Sequence, residues 1–196
     1  MQCIKDTIKN INIVIGCSIG CSYCYARMNN NRFHTIDDFN KPVFFENKLK
    51  MLDNKRHTAY LLTGQSDLSG WNEEWKDKVF SKMKENENTQ YIFLTKRPEN
   101  IKLKETPDNG WFGVTVTSSK EKTRIDYLRN NVRAKHYHIT FEPMFDDVGK
   151  LDLSNISWIV IGTETGNRKG KISSKREWVF NIYNQAKEKN IPVFMK

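Results

Sequence analysis

The sequence predicts an α/β protein built from repeated βα units, and three observations carry that expectation. Short β-branched or aromatic runs recur at 11–15, 59–63, 91–95, 111–116, 137–141, 158–161 and 192–195. Most are near-continuously apolar, as strands covered on both faces of a parallel sheet are. Between them lie helical patterns at 22–31, 43–53, 73–87, 119–130 and 174–189, the alternation that right-handed crossovers turn into a parallel sheet. Six or seven units are too few for a closed eight-unit barrel but enough for a partial, open TIM-like one; a doubly wound sheet shares the pattern. In both architectures the functional loops follow the C-terminal ends of strands.

Two helix starts carry local signals. Asn72 before Glu73 and Glu74 reads as an N-cap with an acidic first turn, and Ser174 with Glu177 has the capping-box order. Trp71 and Trp75, four apart, read as the core face of a helix.

A chain of 196 residues, 38% apolar and 28% charged, is expected to fold as one soluble domain, 1–196. Its first ten residues lack the basic-then-apolar order of a secretory signal. No apolar run approaches the roughly 18 residues of a membrane span. The expected location is the cytoplasm, with no membrane partner, where clustered cysteines serve metals or redox chemistry. The net charge of +9 fits a nucleic-acid or nucleotide partner, and equally a lysine-rich solvated surface.

The strand ends come next. The first run leads directly into Gly16-Cys17-Ser18-Ile19-Gly20-Cys21-Ser22-Tyr23-Cys24-Tyr25, with three of the four cysteines spaced C-x3-C-x2-C. Soft thiolates select zinc, copper(I) or iron–sulfur clusters. Three ligands in one loop leave a coordination position open, the mark of a reactive rather than a structural centre. Zinc completed by Cys3 is the structural rival, and a disulfide would leave one thiol of the loop unpaired unless Cys3 joined.

The second run ends Thr63-Gly64-Gln65-Ser66-Asp67, where a glycine suits close approach of a ligand and Asp67 suits a helix cap. Lys96 and Arg97 end the third run, placed to clamp a carboxylate or phosphate or to lie in solvent. On the fourth, Thr115 and Thr117 share a face with Gly113. On the fifth, His136, His138, Thr140 and Glu142 share one; polar packing explains the histidines, whereas Glu142 before Pro143 is harder to explain by packing. The sixth ends Ile161-Gly162-Thr163-Glu164, where glycines around a carboxylate suit a nucleoside.

The C-x3-C-x2-C loop with Tyr23 before Cys24 resembles the signature of the radical S-adenosylmethionine superfamily. The resemblance extends to a phage-encoded branch of unknown function through Ser66–Leu68, Leu94–Pro98, Trp111–Val114, Phe141–Pro143, Trp158–Gly162 and Phe194–Lys196. It implies a partial (βα)6 barrel and a 4Fe–4S cluster on Cys17, Cys21 and Cys24. It further implies S-adenosylmethionine chelated to the fourth iron and cleaved reductively to a 5′-deoxyadenosyl radical, with flavodoxin or ferredoxin as electron donor. Carried onto this chain, Tyr23, Thr63, Gly64, Gln65, Ser66, Asp67, Thr115, Thr117, Ile161 and Gly162 fall at cofactor contacts. Lys96, Arg97, Glu142 and Glu164 fall at the substrate end. The chain departs from the superfamily's glycine-glycine-glutamate segment, having one glycine and no glutamate at 63–67. The substrate stays open between nucleic acid, a nucleotide and a molecule presented by a partner protein. The rival class is a zinc- or cluster-bearing nucleic-acid-binding module without catalysis.

Overall fold

The structure is a computed structural model that describes residues 7–54, 56, 58–166 and 168–196. Cys3 lies outside the described residues. Nine strands are found among them: β1 (Ile8–Asn10), β2 (Val14–Ile15), β3 (Val43–Phe44), β4 (Ala59–Leu61), β5 (Gln90–Thr95), β6 (Gly110–Thr115), β7 (His136–Phe141), β8 (Ile156–Ile161) and β9 (Val193–Met195). The longer helices are α1 (Tyr25–Phe33), α2 (Glu73–Lys84), α3 (Thr123–Asn131) and α4 (Arg176–Glu188). Seven strands form an all-parallel sheet in the order β1-β4-β5-β6-β7-β8-β9, curled into a half-barrel. The fold is thus mixed α/β and compatible with a partial barrel. No described helix is long and apolar enough to cross a membrane.

Aromatic packing separates the two faces of the sheet. Phe93 of β5 stacks on Phe112 of β6 at 4.9 Å, and both meet Phe80 of α2 edge-on at 5.8 and 5.9 Å. That is the helix-covered face. Registered residues of parallel strands point the same way, so Leu94, Gly113, His138 and Trp158 form a row on the opposite, concave face. Thr115, Thr140 and Val160 form the next row toward the strands' C-terminal ends. Gly113 is small for a reason: a Cβ there would lie 2.3 Å from the His138 ring, which crosses it to bring Nε2 within 3.1 Å of the Phe93 carbonyl.

Most expected elements form within a few residues of their expected bounds, and four expectations are corrected. The run 11–15 is not one strand of the main sheet. β1 precedes it, the Ile11 amide still donates to Leu61, and Val14–Ile15 then pairs antiparallel with Val43–Phe44. Its buried β-branched side chains satisfy two separate pairings. The stretch 43–53 is therefore not one helix but β3 followed by a 3-10 segment at Glu46–Asp53. Asn72 does cap α2, accepting from the Trp75 amide at 2.9 Å. Trp71, however, precedes that helix and is buried with its indole N–H on the Ser66 hydroxyl. Ser174 forms no capping box: Lys175 is the N-cap of α4, and the Ser174 hydroxyl donates to the Met144 carbonyl.

Candidate functional site

The cysteine loop begins where the chain returns to the sheet. The Gly16 amide donates to the Gln65 carbonyl at 2.9 Å, and Gly16 bridges Ser66. Gly16 has φ +114°, and a Cβ on it would sit 2.9 Å from Pro42 Cα, so conformation and space both require glycine. Gly20, at φ +77°, makes the second reversal. Cys24 then caps α1, its sulfur accepting from the Arg27 amide at 3.4 Å. The Arg27 guanidinium folds back to the Cys17 carbonyl and to Asn40, over the Phe39 ring. Under the loop lies a small apolar cluster of Ile15, Ala26, Ile36 and Phe39, against which Cys17 and Cys24 pack. Asn30 locks the return of α1 with a reciprocal pair of hydrogen bonds to Ile36.

Cys17, Cys21 and Cys24 are all free, partly exposed thiols. Burial pushes the Cys17 thiol up, a hydrogen bond from Ile19 opposes this, and the charges of Asp67, Cys21 and Cys24 add to it. A soft cation wrapped by the loop would reverse that balance by favouring thiolates. No three His, Cys, Asp or Glu side chains among the described residues converge on a point where a single metal ion would sit. A cubane distributes its thiolate ligands over separate irons, so a loop that carries one need not converge on a point. The donor set and its glycine hinges fit such a cluster.

Tyr23 links the loop to the strand ends. Its ring meets Phe145 edge-on at 5.4 Å and lies 5.8 Å from Lys96 Nζ. Burial raises its hydroxyl above the usual range, with the nearby Cys21 adding to this and the Thr117 side chain opposing it. On the other side, the Tyr25 hydroxyl donates to the Gly64 carbonyl at 2.5 Å. The loops after β4, β6 and β7 are thereby gathered around the cysteines.

Several expected contact residues already have protein partners. Thr63 Oγ1 accepts from the Leu94 amide, and the Ser66 hydroxyl accepts from Trp71. Asp67 is buried; it accepts from Ser69, from the Thr95 hydroxyl at 2.7 Å and from the Lys96 amide at 2.8 Å. Gln65 is half-buried and gives its carbonyl to Gly16. Thr117 donates its hydroxyl, and its amide, to Glu121, and the Thr115 carbonyl accepts from Arg124. Ile161 belongs to the main hydrophobic core, so it offers backbone rather than side chain to the concave face. Gly162 lies under the Glu142 side chain, where a Cβ would come within 3.0 Å of it. Glu142 pairs with Lys196 at 2.6 Å. Arg97 is exposed, and Glu164 is buried against Arg168, whose guanidinium holds its carboxyl below the usual range. Cys17, Cys21, Cys24, Tyr23, Gly64, Thr117, Lys96 and Glu142 are thus brought to one end of the sheet. Glu164, in the loop after β8, and Arg97, after β5, make no contact with the cysteine loop among the described residues.

Sequence reasoning missed Arg27, Lys196, Arg168, Phe145 and Asn12. Asn12 Oδ1 is buried without a partner among the described residues, beside Gly64, where a Cβ would sit 3.0 Å from it. That open acceptor adjoins the 63–67 segment. A spacing signal existed only for Arg27, three residues after Cys24.

Searches of the curated proteins and of the solved structures found no match. The family model described as "Protein of unknown function (DUF5131)" matches residues 2–196, and the chain belongs to that family.

Proposed function

We propose that the protein is a radical S-adenosylmethionine enzyme in which Cys17, Cys21 and Cys24 hold a 4Fe–4S cluster. The observation that carries this reading is the presentation of three free thiols by one glycine-hinged loop at the C-terminal end of a curled parallel sheet. Bound there, cluster and cofactor would supply reductive cleavage of S-adenosylmethionine to a 5′-deoxyadenosyl radical, with hydrogen abstraction from the substrate.

The chain's own residues have separable tasks. Arg27 fixes the Cys17 backbone and, with Phe39 and Ile36, shields one side of the loop from water. Asn12 Oδ1 and the Gly64 segment offer an acceptor and close backbone approach to the cofactor's amino end. Tyr23 closes the loop against Phe145, and Lys96 and Glu142 supply opposite charges toward the substrate. Flavodoxin or ferredoxin is the electron donor class.

Anaerobic reconstitution with iron and sulfide tests the reading. The expected protein is brown, with about four irons per chain, and releases 5′-deoxyadenosine from S-adenosylmethionine under strong reductant. An intact cluster that yields no deoxyadenosine sinks it. A colourless protein holding one zinc supports the non-catalytic nucleic-acid-binding module instead.

A further inference from the structure

We infer that the loop between β8 and α4 is a docking rim for a single nucleic-acid strand, which it holds by its phosphates beside the cysteine loop. The inference rests on the proposed chemistry for its purpose but not for its test. Residues 163–176 carry five cations, Arg168, Lys169, Lys171, Lys175 and Arg176, against one carboxylate, Glu164. That carboxylate is buried, and two Arg168 nitrogens engage it. The Ile172 amide approaches it as well. The single negative charge is thereby taken up in shaping the loop; Lys169, Lys171 and Lys175 are exposed, Lys171 with its ammonium also donating to the Gly166 carbonyl.

The same sorting runs around this end of the sheet. Asp67, Glu121 and Asp146 are turned inward onto backbone amides and hydroxyls, while Glu99, Asp147 and Glu177 stay exposed and are outnumbered by the cations around them. Among the described residues, Lys96, Arg97, Lys169, Lys171 and Lys175 take part in no ion pair. Inward carboxylates and unpaired outward cations leave a positive rim, the electrostatic footprint of a phosphate backbone.

Location and composition narrow the partner. Ser174 ties the loop to Met144, next to Phe145, which contacts Tyr23. The Ser174 end of the rim is therefore connected to the cysteine loop through Met144 and Phe145. Aromatic and apolar groups interleave with the cations: Lys175 lies over Trp178, Arg176 over Phe180, and Phe180 and Ile172 are exposed. Gly166 and Gly170 have open space where a side chain would be. Cations alternating with ring faces and bare backbone suit an unpaired strand with accessible bases.

The test is fluorescence anisotropy of a dye-labelled single-stranded oligonucleotide with the full-length protein as purified, whatever metal it holds, across a sodium chloride series. The expected log–log plot falls linearly, and Lys169→Ala/Lys171→Ala/Lys175→Ala flattens its slope by about 2, at roughly 0.7 per phosphate contact on a single strand. A control triple, Lys104→Ala/Lys135→Ala/Lys187→Ala, removes the same charge from the opposite end of the sheet and is expected to leave the slope unchanged. A flat salt response, an equal effect of the two triples, or equal binding of polyglutamate would overturn the proposal, the last by showing simple charge attraction. Tighter binding of the matching duplex would also overturn it. Because binding is read without turnover, a protein that shows the slope but releases no deoxyadenosine sinks the cofactor reading and leaves the rim standing.

Discussion

His138 is held neutral inside the sheet, about 1% exposed, with its Nε2 on a carbonyl that can only accept. That bond puts the proton on Nε2, and the Trp111 backbone also approaches the ring. Burial pushes the imidazole down from 6.5 to about 4. The unfolded chain takes up a proton near pH 6.5 while the folded one does not until about pH 4. Stability is then lost as pH falls across that window, by about 3 kcal/mol in full. Urea denaturation of the metal-free protein at pH 4.5 and 7.5 should show most of this loss, and His138→Gln should show much less. An equal acid loss in both proteins would assign it elsewhere. Gly113 is the other half of this arrangement. Gly113→Ala drives a methyl into the ring, which Trp158 flanks at 5.6 Å, and should cost about 1–3 kcal/mol. In a His138→Ala background the same change should cost little, a coupling of about 1 kcal/mol or more in a double-mutant cycle.

At the scale of elements, the cysteine loop depends on its hinge more than on its neighbours. Gly16→Ala adds a Cβ against the Pro42 backbone at a φ that side chains rarely adopt. The expected cost is about 1–3 kcal/mol, concentrated locally, so reconstituted iron per chain should fall well below wild type while the main melting transition moves little. Full iron occupancy would show that the loop tolerates a different path. The sheet itself was legible. Continuous apolar runs such as Ile156–Ile161 suit strands covered on both faces of a parallel sheet, and their bounds fall within two residues of those expected. The run 11–15 misled because burial of Ile11, Ile13, Val14 and Ile15 on all sides records no pairing partner. The site was legible as positions rather than as contacts. Thiols, glycines and polar strand ends appear in the sequence, but Thr63, Ser66 and Thr117 were each already bonded within the protein. The Glu142–Lys196 pair spans 54 residues, a separation no local pattern reports.

Across the whole molecule, the open sheet has two edges among the described residues, β1 and β9, and the second covers the uncharged, largely apolar β8. Val193, Phe194 and Met195 pair with Ile159, Val160 and Ile161, and Lys196 then reaches from the end of β9 to Glu142 on β7. Two contributions can be separated there. The ion pair is partly exposed on both sides, with side-chain exposures of 39% and 23%, so Lys196→Ala should cost no more than about 1 kcal/mol. Removing residues 193–196 is a different matter. It exposes the backbone donors and acceptors of β8, whose sequence ISWIVI carries no charge, and an uncharged apolar edge is a template for intermolecular pairing. It also uncovers part of the core that Val193 packs against. The shortened chain should therefore precipitate or elute as high-order assemblies at concentrations where Lys196→Ala stays at its original size on gel filtration. If both variants keep the original size, β9 is not what shields the edge.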